Sequence, residues 1–252
     1  IPASIVLLMN GIGTLLFIFI TKGKAPAYLG SSFAFLAPAF IVIDKMGYEY
    51  VLGGFICAGA IFSIVAILIK FVGVSWIDAV LPPAAMGPIV ALIGLELAGS
   101  AANTGGIVSV DGSAIDPQMV IVFVLTLALA VIGQVVFKGF AAAIAILIAI
   151  VGGYGLATIM GMVDFTPVLN AKLFALPAFT APKFDLTAII IIIPASLTVI
   201  SEHISHQIVT SQIVGRDLVK DPGLHRSLLA DGISTMLSGF CGSVPTTTYG
   251  EN

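Results

Sequence analysis

The chain has 252 residues, of which 59% are hydrophobic and only 9% are charged, and its formal net charge is -3. A soluble domain carries roughly 25% charged residues, so this composition excludes a solvated globule, a disordered chain and a nucleic-acid-binding protein. It indicates an integral membrane protein. The two cysteines, Cys57 and Cys241, lie in apolar runs as small hydrophobic side chains, which excludes a secreted disulfide framework.

Apolar stretches of about 20 residues, the length of a membrane-spanning helix, recur along the chain. The sequence predicts six such helices, at residues 3–21, 51–69, 84–102, 119–137, 140–163 and 186–214. Two further stretches, residues 26–43 and 224–250, are apolar but interrupted by Gly, Pro, Ser and Thr. We therefore expect an all-α polytopic membrane protein in which two segments are broken.

Loop cations predict the orientation, because the cytoplasmic side of a membrane protein carries the excess of Lys and Arg. With the spans alternating across the membrane, one side collects Lys22, Lys24, Lys70, Lys138, Arg216, Lys220 and Arg226. The other side holds Lys45, Lys172 and Lys183. This imbalance predicts that the first side is cytoplasmic and that the first helix runs from outside to inside.

The two interrupted stretches contain similar segments, PAYLGSSFAF at residues 26–35 and SVPTTTYGEN at residues 243–252. Each combines Pro, Tyr, Gly and a Ser/Thr cluster with strand-forming residues. Irregular backbone at membrane depth requires surrounding protein or a water-filled cavity, and a pair of such segments is typical of a transporter's midplane site between inverted repeats. The alternative is that both are loops that dip only into the headgroup region.

Glu202 is the leading candidate for function because it lies near the centre of the predicted span 186–214. A carboxylate at that depth costs about 2.5–3.5 kcal/mol on insertion scales, so we expect it to face the bundle interior or a cavity. His206 follows one turn later on the same helix face, where it can hydrogen-bond Glu202 or share a proton with it. Imidazole titrates near neutral pH, so the pair is suited to carrying a proton.

The other polar residues within apolar stretches have simpler interpretations. His203 points about 100° away from Glu202 on a helix, and we expect it to be a packing histidine with satisfied hydrogen bonds. Glu96 lies toward the outer end of its helix, where it reaches the interface or pairs with a backbone group. Asp231 is expected to cap its helix or to pair with Arg226.

The sequence offers little support for an enzyme active site. A zinc protease helix needs histidines four residues apart with a glutamate beside the first, whereas His203 and His206 are three apart and Glu202 lies outside them. No GxSxG, P-loop or GxGxxG motif lies in a suitable strand-to-helix context. An intramembrane enzyme therefore stays only as an alternative class.

Three segments of the second half of the chain are distinctive, SEHISHQIVT, GRDLVKDPGLHRSLLADGIST and SGFCGSVPTTTYGEN. They resemble the motifs of the nucleobase-ascorbate transporters, in particular the bacterial uracil-transporting branch. PAYLGSSFAF and PPAAMGPIVALIGLELAG extend the resemblance over essentially the whole chain. The resemblance implies fourteen spans in two inverted repeats of seven, divided into a core and a gate domain. In that fold the third and tenth spans are each a short strand followed by a half-helix.

By this resemblance the chain is an internal piece of a longer protein that lacks the first span and the last four. Residues 1–163 would hold spans two to seven of the first repeat, and residues 164–185 an extracytoplasmic linker. Residues 186–252 would hold spans eight and nine and the strand of span ten.

The resemblance also implies roles for particular residues. Glu202 corresponds to the substrate-binding carboxylate of the eighth span, and His206 to its hydrogen-bonded partner in proton coupling. Glu251 corresponds to the carboxylate of the tenth span, Gly250 to the residue before it, whose amide faces the substrate, and Phe33 to a site residue of the third-span strand. Purine-transporting relatives usually carry Asp at the position of His206 and Gln at that of Glu251.

The expected function is therefore proton-coupled uracil import across the bacterial inner membrane. Uracil offers two N–H donors and two carbonyl acceptors, which suit carboxylates and the open backbone amides of broken spans. The expected partners are uracil, protons, the lipid bilayer and a second copy in a homodimer, with no metal or organic cofactor and no nucleic acid. The alternatives are a xanthine or urate permease and, on the same fold, an anion exchanger.

Overall fold

The computed structural model describes residues 2–74, 76, 83–108, 115–171 and 176–249. Over these residues the chain forms eight helices of eleven or more residues and two three-residue strands. In chain order they are α1 (Ala3–Ile20), β1 (Leu29–Ser31), α2 (Leu36–Met46), α3 (Tyr48–Val72), α4 (Pro83–Thr104), α5 (Pro117–Val136), α6 (Ala145–Ile159), α7 (Leu186–Val214), α8 (Leu224–Phe240) and β2 (Thr246–Thr248). Shorter helical turns lie at Phe33–Phe35, Phe140–Ala143, Thr166–Leu169 and Val219–Gly223.

Most of the predicted spans are confirmed as helices. Within the described part of the chain, four helices, α1, α3, α5 and α7, are long and apolar enough to cross a membrane. They match the predictions at residues 3–21, 51–69, 119–137 and 186–214, and α4 matches the one at residues 84–102. The architecture is the mostly helical one expected of a polytopic membrane protein.

The prediction of one continuous helix over residues 140–163 is wrong. After a single turn the backbone departs from helical geometry at Ile144 (φ -107°, ψ 19°), and α6 begins only at the next residue. At its other end Gly161 adopts a left-handed conformation (φ 72°), which closes a helix because glycine takes positive φ without steric cost. The result is a shorter apolar helix of 15 residues.

Both interrupted stretches are broken, as predicted. In residues 26–43, strand β1 and the turn Phe33–Phe35 precede α2. In residues 224–250, α8 ends and the chain turns at Gly242 (φ 83°) before it enters β2. Neither stretch forms a continuous helix within the described residues.

Residues 1–93 and 176–252 form one compact unit, in which α3 packs along both α8 and α7. The crossing of α3 and α8 is close because glycines meet there. A Cβ atom on Gly59 would lie 2.7 Å from the carbonyl oxygen of Gly232 and 2.8 Å from the amide nitrogen of Met236. Small residues allow such backbone approach in membranes, where lipid provides no hydrophobic force between helices.

An aromatic cluster fixes the first broken segment to this unit. The buried ring of Phe35, in the turn after β1, lies 5.7 Å from that of Phe55 and 6.4 Å from that of Phe62, both on α3. The first contact is edge-on at 71°, a geometry that aromatic rings favour. The turn that follows β1 is therefore held by the core.

Residues 94–175 form the second unit, in which α5 packs against α6. The contact depends on Gly153, where a Cβ atom would overlap the side chain of Thr126. Large apolar side chains such as Val135 and Ile159 are exposed on this unit. Such surfaces are typical of helices that face lipid or other membrane helices.

Ion pairs lie near both ends of α7. Near its C-terminus, Lys24 Nζ lies 2.7 Å from the Asp221 carboxylate and Arg216 donates to the Lys24 carbonyl at 3.1 Å. Near its N-terminus, Lys183 pairs with Glu49. Lys183 thus lies at one end of α7, and Lys24 and Arg216 lie at the other.

The Lys24–Asp221 pair has a defined pH dependence. The hydrogen bond from Lys24 lowers the pKa of the Asp221 carboxyl. The pair therefore stabilises the fold above the ordinary titration range of aspartate, and this contribution is lost as the pH falls through the lowered pKa. Because both side chains are exposed, the contribution is small and is screened by salt.

Candidate functional site

The two broken segments meet in a small antiparallel sheet. Strand β1 pairs with β2 in the register Leu29↔Thr248, Gly30↔Thr247 and Ser31↔Thr246. The amide of Ser32 extends the ladder by donating to the carbonyl of Pro245 at 2.9 Å. A pair of three-residue strands is only marginally stable alone, so the surrounding helices must hold it.

Polar side chains of α8 hold strand β2. Ser234 Oγ lies 2.6 Å from Thr246 Oγ1, and Thr235 Oγ1 donates to the Thr246 carbonyl at 2.9 Å. Thr247 Oγ1 donates to the carboxylate of Asp231 at 3.3 Å. Buried threonines can occupy this strand because each of the three hydroxyls finds a partner there, as buried polar groups require.

Glu202 and His206 lie one turn apart on α7, next to β2. Their side chains are 19% and 13% exposed, and Glu202 Oε1 is 3.9 Å from His206 Nε2. This distance is in the range of an ion pair and longer than a hydrogen bond. His206 Nδ1 lies 2.9 Å from the carbonyl oxygen of Thr248. Since a carbonyl oxygen only accepts, Nδ1 carries a proton.

Two aromatic rings flank the strand pair. Phe33, in the turn packed against α7, is 54% exposed and stacks with Tyr249 at a centroid distance of 6.4 Å. The Tyr249 hydroxyl donates to the carbonyl of Ser31 at 2.9 Å, which ties the end of β2 to β1. The Tyr249 ring covers Gly30, where an added Cβ atom would overlap it. This close approach explains why glycine stands in the middle of β1.

A narrow cleft begins beside His206. It is lined by Pro26 and Ala27, by His206, Gln207 and Thr210 of α7, and by Thr248 and Tyr249. Thr210 is one helical turn beyond His206 toward the C-terminus of α7. The cleft thus extends over about one turn of α7.

Three of the predicted site residues, Phe33, Glu202 and His206, are brought to the same part of the first unit, around α7 and β2. The other two, Gly250 and Glu251, lie outside the described residues. The side chain of Glu96 also lies outside them.

The prediction for Asp231 is wrong, because it lies in the middle of α8 and pairs with His203 instead of capping the helix or binding Arg226. His203 Nδ1 is 2.7 Å from Asp231 Oδ2, and Nε2 is 2.9 Å from Ser227 Oγ. The expectation of a packing histidine with satisfied hydrogen bonds is thus confirmed for His203. The signal that could have found this pair is the need of a buried intramembrane carboxylate for a partner.

Metal-binding groups are not apparent in the described part of the chain, where no three His, Cys, Asp or Glu side chains come together. The site instead offers a carboxylate, an imidazole, hydroxyl groups and backbone carbonyls of strand residues. These groups can bind a small polar molecule by hydrogen bonds and can hold protons.

Comparison with known proteins places these features in a family. Residues 2–252 match the model of the xanthine and uracil permease type that is described as "Permease family". The chain is 54% identical over 251 residues to a protein named uracil permease from Escherichia coli strain K12, with 100% of this chain and 58% of the relative covered.

Two further relatives carry the same name. The protein from Paenibacillus larvae is 55% identical over 255 residues, which cover 100% of this chain and 61% of the relative. The protein from Bacillus subtilis is 40% identical over 257 residues, which cover 99% of this chain and 59% of the relative. The chain spans about six-tenths of the length of these relatives.

The family and these relatives are permeases, which sets aside the intramembrane enzyme as an interpretation. The apolar helices and the matched family agree on a multi-pass membrane protein. With nearly every residue covered by the family model, the chain belongs to the permease family of nucleobase-ascorbate transporters that its sequence resembles.

Proposed function

We propose that the full-length carrier imports uracil together with protons across the bacterial inner membrane. Relatives at 54% and 55% identity carry the name uracil permease, which supports the substrate. The structural observation that supports proton coupling is the arrangement of Glu202, His206 and the carbonyl of Thr248.

This arrangement fixes which nitrogen of His206 faces the carboxylate. The proton on Nδ1 is directed to Thr248, so in a neutral ring Nε2 is an acceptor. Nε2 and Glu202 Oε1, 3.9 Å apart, would then present two lone pairs to each other. Their contact is favourable when one extra proton lies on either group. We propose that this is the proton carried with the substrate.

The proposed substrate contacts follow the donors and acceptors of the uracil ring. Glu202 and Glu251 accept from its two N–H groups, and the amide of Gly250 donates to a carbonyl. Phe33 provides an apolar wall, and its stacking with Tyr249 supports this role by fixing the ring orientation. The site would lie at the bilayer midplane, between the two broken spans and α7.

We further propose the inverted-repeat fold for the complete carrier. In this assignment α1 is span two, β1 with α2 is span three, α7 is span eight and β2 begins span ten. Residues 1–163 belong to the first repeat, residues 164–185 to an extracytoplasmic linker and residues 186–252 to the second repeat. The unit of residues 1–93 and 176–252 would be part of the core domain, and residues 94–175 part of the gate domain.

The same assignment predicts how the carrier is oriented in the membrane and what its surface contacts. The side with Lys24 and Arg216 faces the cytoplasm, in line with the positive-inside rule. The exposed apolar side chains of the helices contact lipid, other spans or a second copy in a homodimer.

A xanthine or urate permease is the competing interpretation, and it differs in the expected substrate. His206 and Glu251 favour uracil, because purine-transporting relatives usually carry Asp and Gln at these positions. An anion exchanger is disfavoured, since carboxylates at the site repel anions.

Competition of labelled uracil uptake by unlabelled bases tests the substrate. In vesicles that contain the full-length carrier, unlabelled uracil should compete at concentrations at least about 100-fold lower than xanthine, because a site whose polar groups match one ring leaves them unpaired with another. Vesicles without the carrier serve as the control. Competition by xanthine but not by uracil would reverse the assignment.

Replacement of Gly30 by alanine tests whether the pair of strands β1 and β2 forms part of the substrate site. The new Cβ atom overlaps the ring of Tyr249, so this ring must move away from Phe33. We expect uracil affinity to fall about tenfold or more, since displacements on the order of 1 Å at a site have effects of this size. The matched control is Gly155→Ala on α6, where nothing in the described part of the chain lies within 4 Å of the added atom. Equal affinities of the two variants would contradict this role.

A further inference from the structure

His203 and Asp231 form a buried pair that the proposed transport mechanism does not use. Both side chains are 1% exposed, and Nδ1 of His203 lies 2.7 Å from Oδ2 of Asp231. The pair joins α7 to α8. His203 directly follows the site residue Glu202 in the sequence, but the His203 ring points to a different side of α7.

The hydrogen bonds around His203 use both of its ring nitrogens. Nδ1 lies 2.7 Å from Asp231 Oδ2, and Nε2 lies 2.9 Å from Ser227 Oγ, which also donates to the carbonyl of Leu224 at 3.1 Å. Both partners of the ring, Asp231 and Ser227, belong to α8. The ring is therefore held in one orientation between the two helices.

The same pair also contacts strand β2. Asp231 Oδ2 accepts from Thr247 Oγ1 at 3.3 Å, and Thr248 Oγ1 lies 3.3 Å from His203 Nδ1. One turn away on α7, His206 holds the backbone carbonyl of Thr248 at 2.9 Å. Two histidines of one helix therefore hold the side chain and the main chain of the same strand residue.

We infer that His203 is a positioning residue of the carrier, which acts through Asp231 to seat β2 on α7 and so sets the hydrogen bond between Thr248 and His206. Its role is to hold geometry, whereas the transported proton resides at Glu202 and His206. This inference rests on the proposed function and adds to it a residue that fixes the geometry of the site.

A double-mutant cycle in the full-length carrier tests the inference. His203→Gln leaves the Asp231 side chain without its imidazole partner, Asp231→Asn leaves His203 Nδ1 without its carboxyl partner, and the double variant pairs two amides. Ser227→Ala is a milder variant that removes the hydroxyl at Nε2, together with its hydrogen bond to the Leu224 carbonyl. The matched control is Ser201→Ala, a buried hydroxyl on the same helix whose hydrogen bond stays within that helix.

Three quantities are measured for each variant: binding of labelled uracil per folded carrier, the pH profile of uptake and the melting temperature in detergent. We expect each single variant of the pair to bind uracil about tenfold more weakly or worse, and the double variant to recover most of that loss because the two effects are coupled. Ser227→Ala should show a smaller loss in the same direction. The shape of the pH profile should not change in any of them, and Ser201→Ala should match wild type.

Other outcomes would overturn the inference. Wild-type uracil affinity with an altered pH profile in His203→Gln would make His203 a proton carrier. Losses that simply add in the double variant, or wild-type behaviour of both His203→Gln and Ser227→Ala, would remove the positioning role. If the single variants do not fold, a folded double variant supports the coupling and an unfolded one contradicts it.

If the proposed function is wrong, the measurements differ from those that would overturn the role of His203. A wild-type carrier that does not bind uracil contradicts the assigned substrate, while the coupling between His203 and Asp231 is still measured on the melting temperature. Coupled melting temperatures then support the seating of β2, and uncoupled ones overturn it.

Discussion

Uracil accumulation driven by a proton gradient should fall to background when Glu202 of the full-length carrier is replaced by glutamine. Glutamine keeps the size and the carbonyl acceptor of the side chain but cannot exchange a proton with His206, whose Nε2 lies 3.9 Å from the carboxylate. The fold should persist, because a neutral side chain at this depth is cheaper to bury than a carboxylate. Uptake by reconstituted vesicles with and without a pH gradient measures the effect.

Two comparisons make this result specific. Exchange of labelled for unlabelled uracil without a gradient should survive in the variant, because it needs binding and movement but no net proton transfer. Glu49→Gln is the matched control, since this glutamate is exposed at the start of α3 and pairs with Lys183. Gradient-driven accumulation at the wild-type level in Glu202→Gln would refute the proposed coupling.

A large loss of stability is expected from replacing Gly59 by alanine. The added Cβ atom would lie 2.7 Å from the carbonyl oxygen of Gly232 and 2.8 Å from the amide nitrogen of Met236. Both are backbone atoms of α8, so the two helices must separate, which costs about 1–3 kcal/mol as in other overpacked cores. The melting temperature of the full-length protein in detergent and its yield in the membrane should both fall.

The matched control for this variant is Gly11→Ala on α1. Among the described residues, nothing lies within 4 Å of the added atom at that position, and alanine favours a helix over glycine by roughly 0.5–1 kcal/mol. We therefore expect the control to melt at the wild-type temperature or slightly above it. If Gly59→Ala melted together with the control, the close crossing of α3 and α8 would not be a source of stability.

The helices could be predicted from sequence because long apolar runs identify membrane spans by length alone. The interruption of residues 26–43 and 224–250 was also predictable, since Pro, Gly and threonine clusters are poor at continuing a helix in lipid. The break at Ile144 was not, because every residue from Phe140 to Ile148 is apolar and the change is one of backbone geometry.

The site was predictable to the extent that it lies on one helix. Glu202 and His206 are four residues apart, so helix periodicity alone places them together. The pairing of His203 with Asp231 depends on how α7 and α8 pack, and residues 28 positions apart have no fixed relation in sequence. The same is true of the stacking of Phe33 on Tyr249, which requires that the two strands first come together.

The strand pair also constrains how the protein is made. Ser31 pairs with Thr246, so at 5–20 residues per second β1 waits on the order of 10–40 s after synthesis for its partner strand. During that interval its backbone groups need shelter from lipid, and the hydrogen bond from the amide of Leu29 to Thr14 of α1, at 3.0 Å, is one contact that is available from the start. Assembly of the site is thus a late event in biogenesis, and a ribosome stalled before residue 246 would leave a membrane-inserted chain with no binding site.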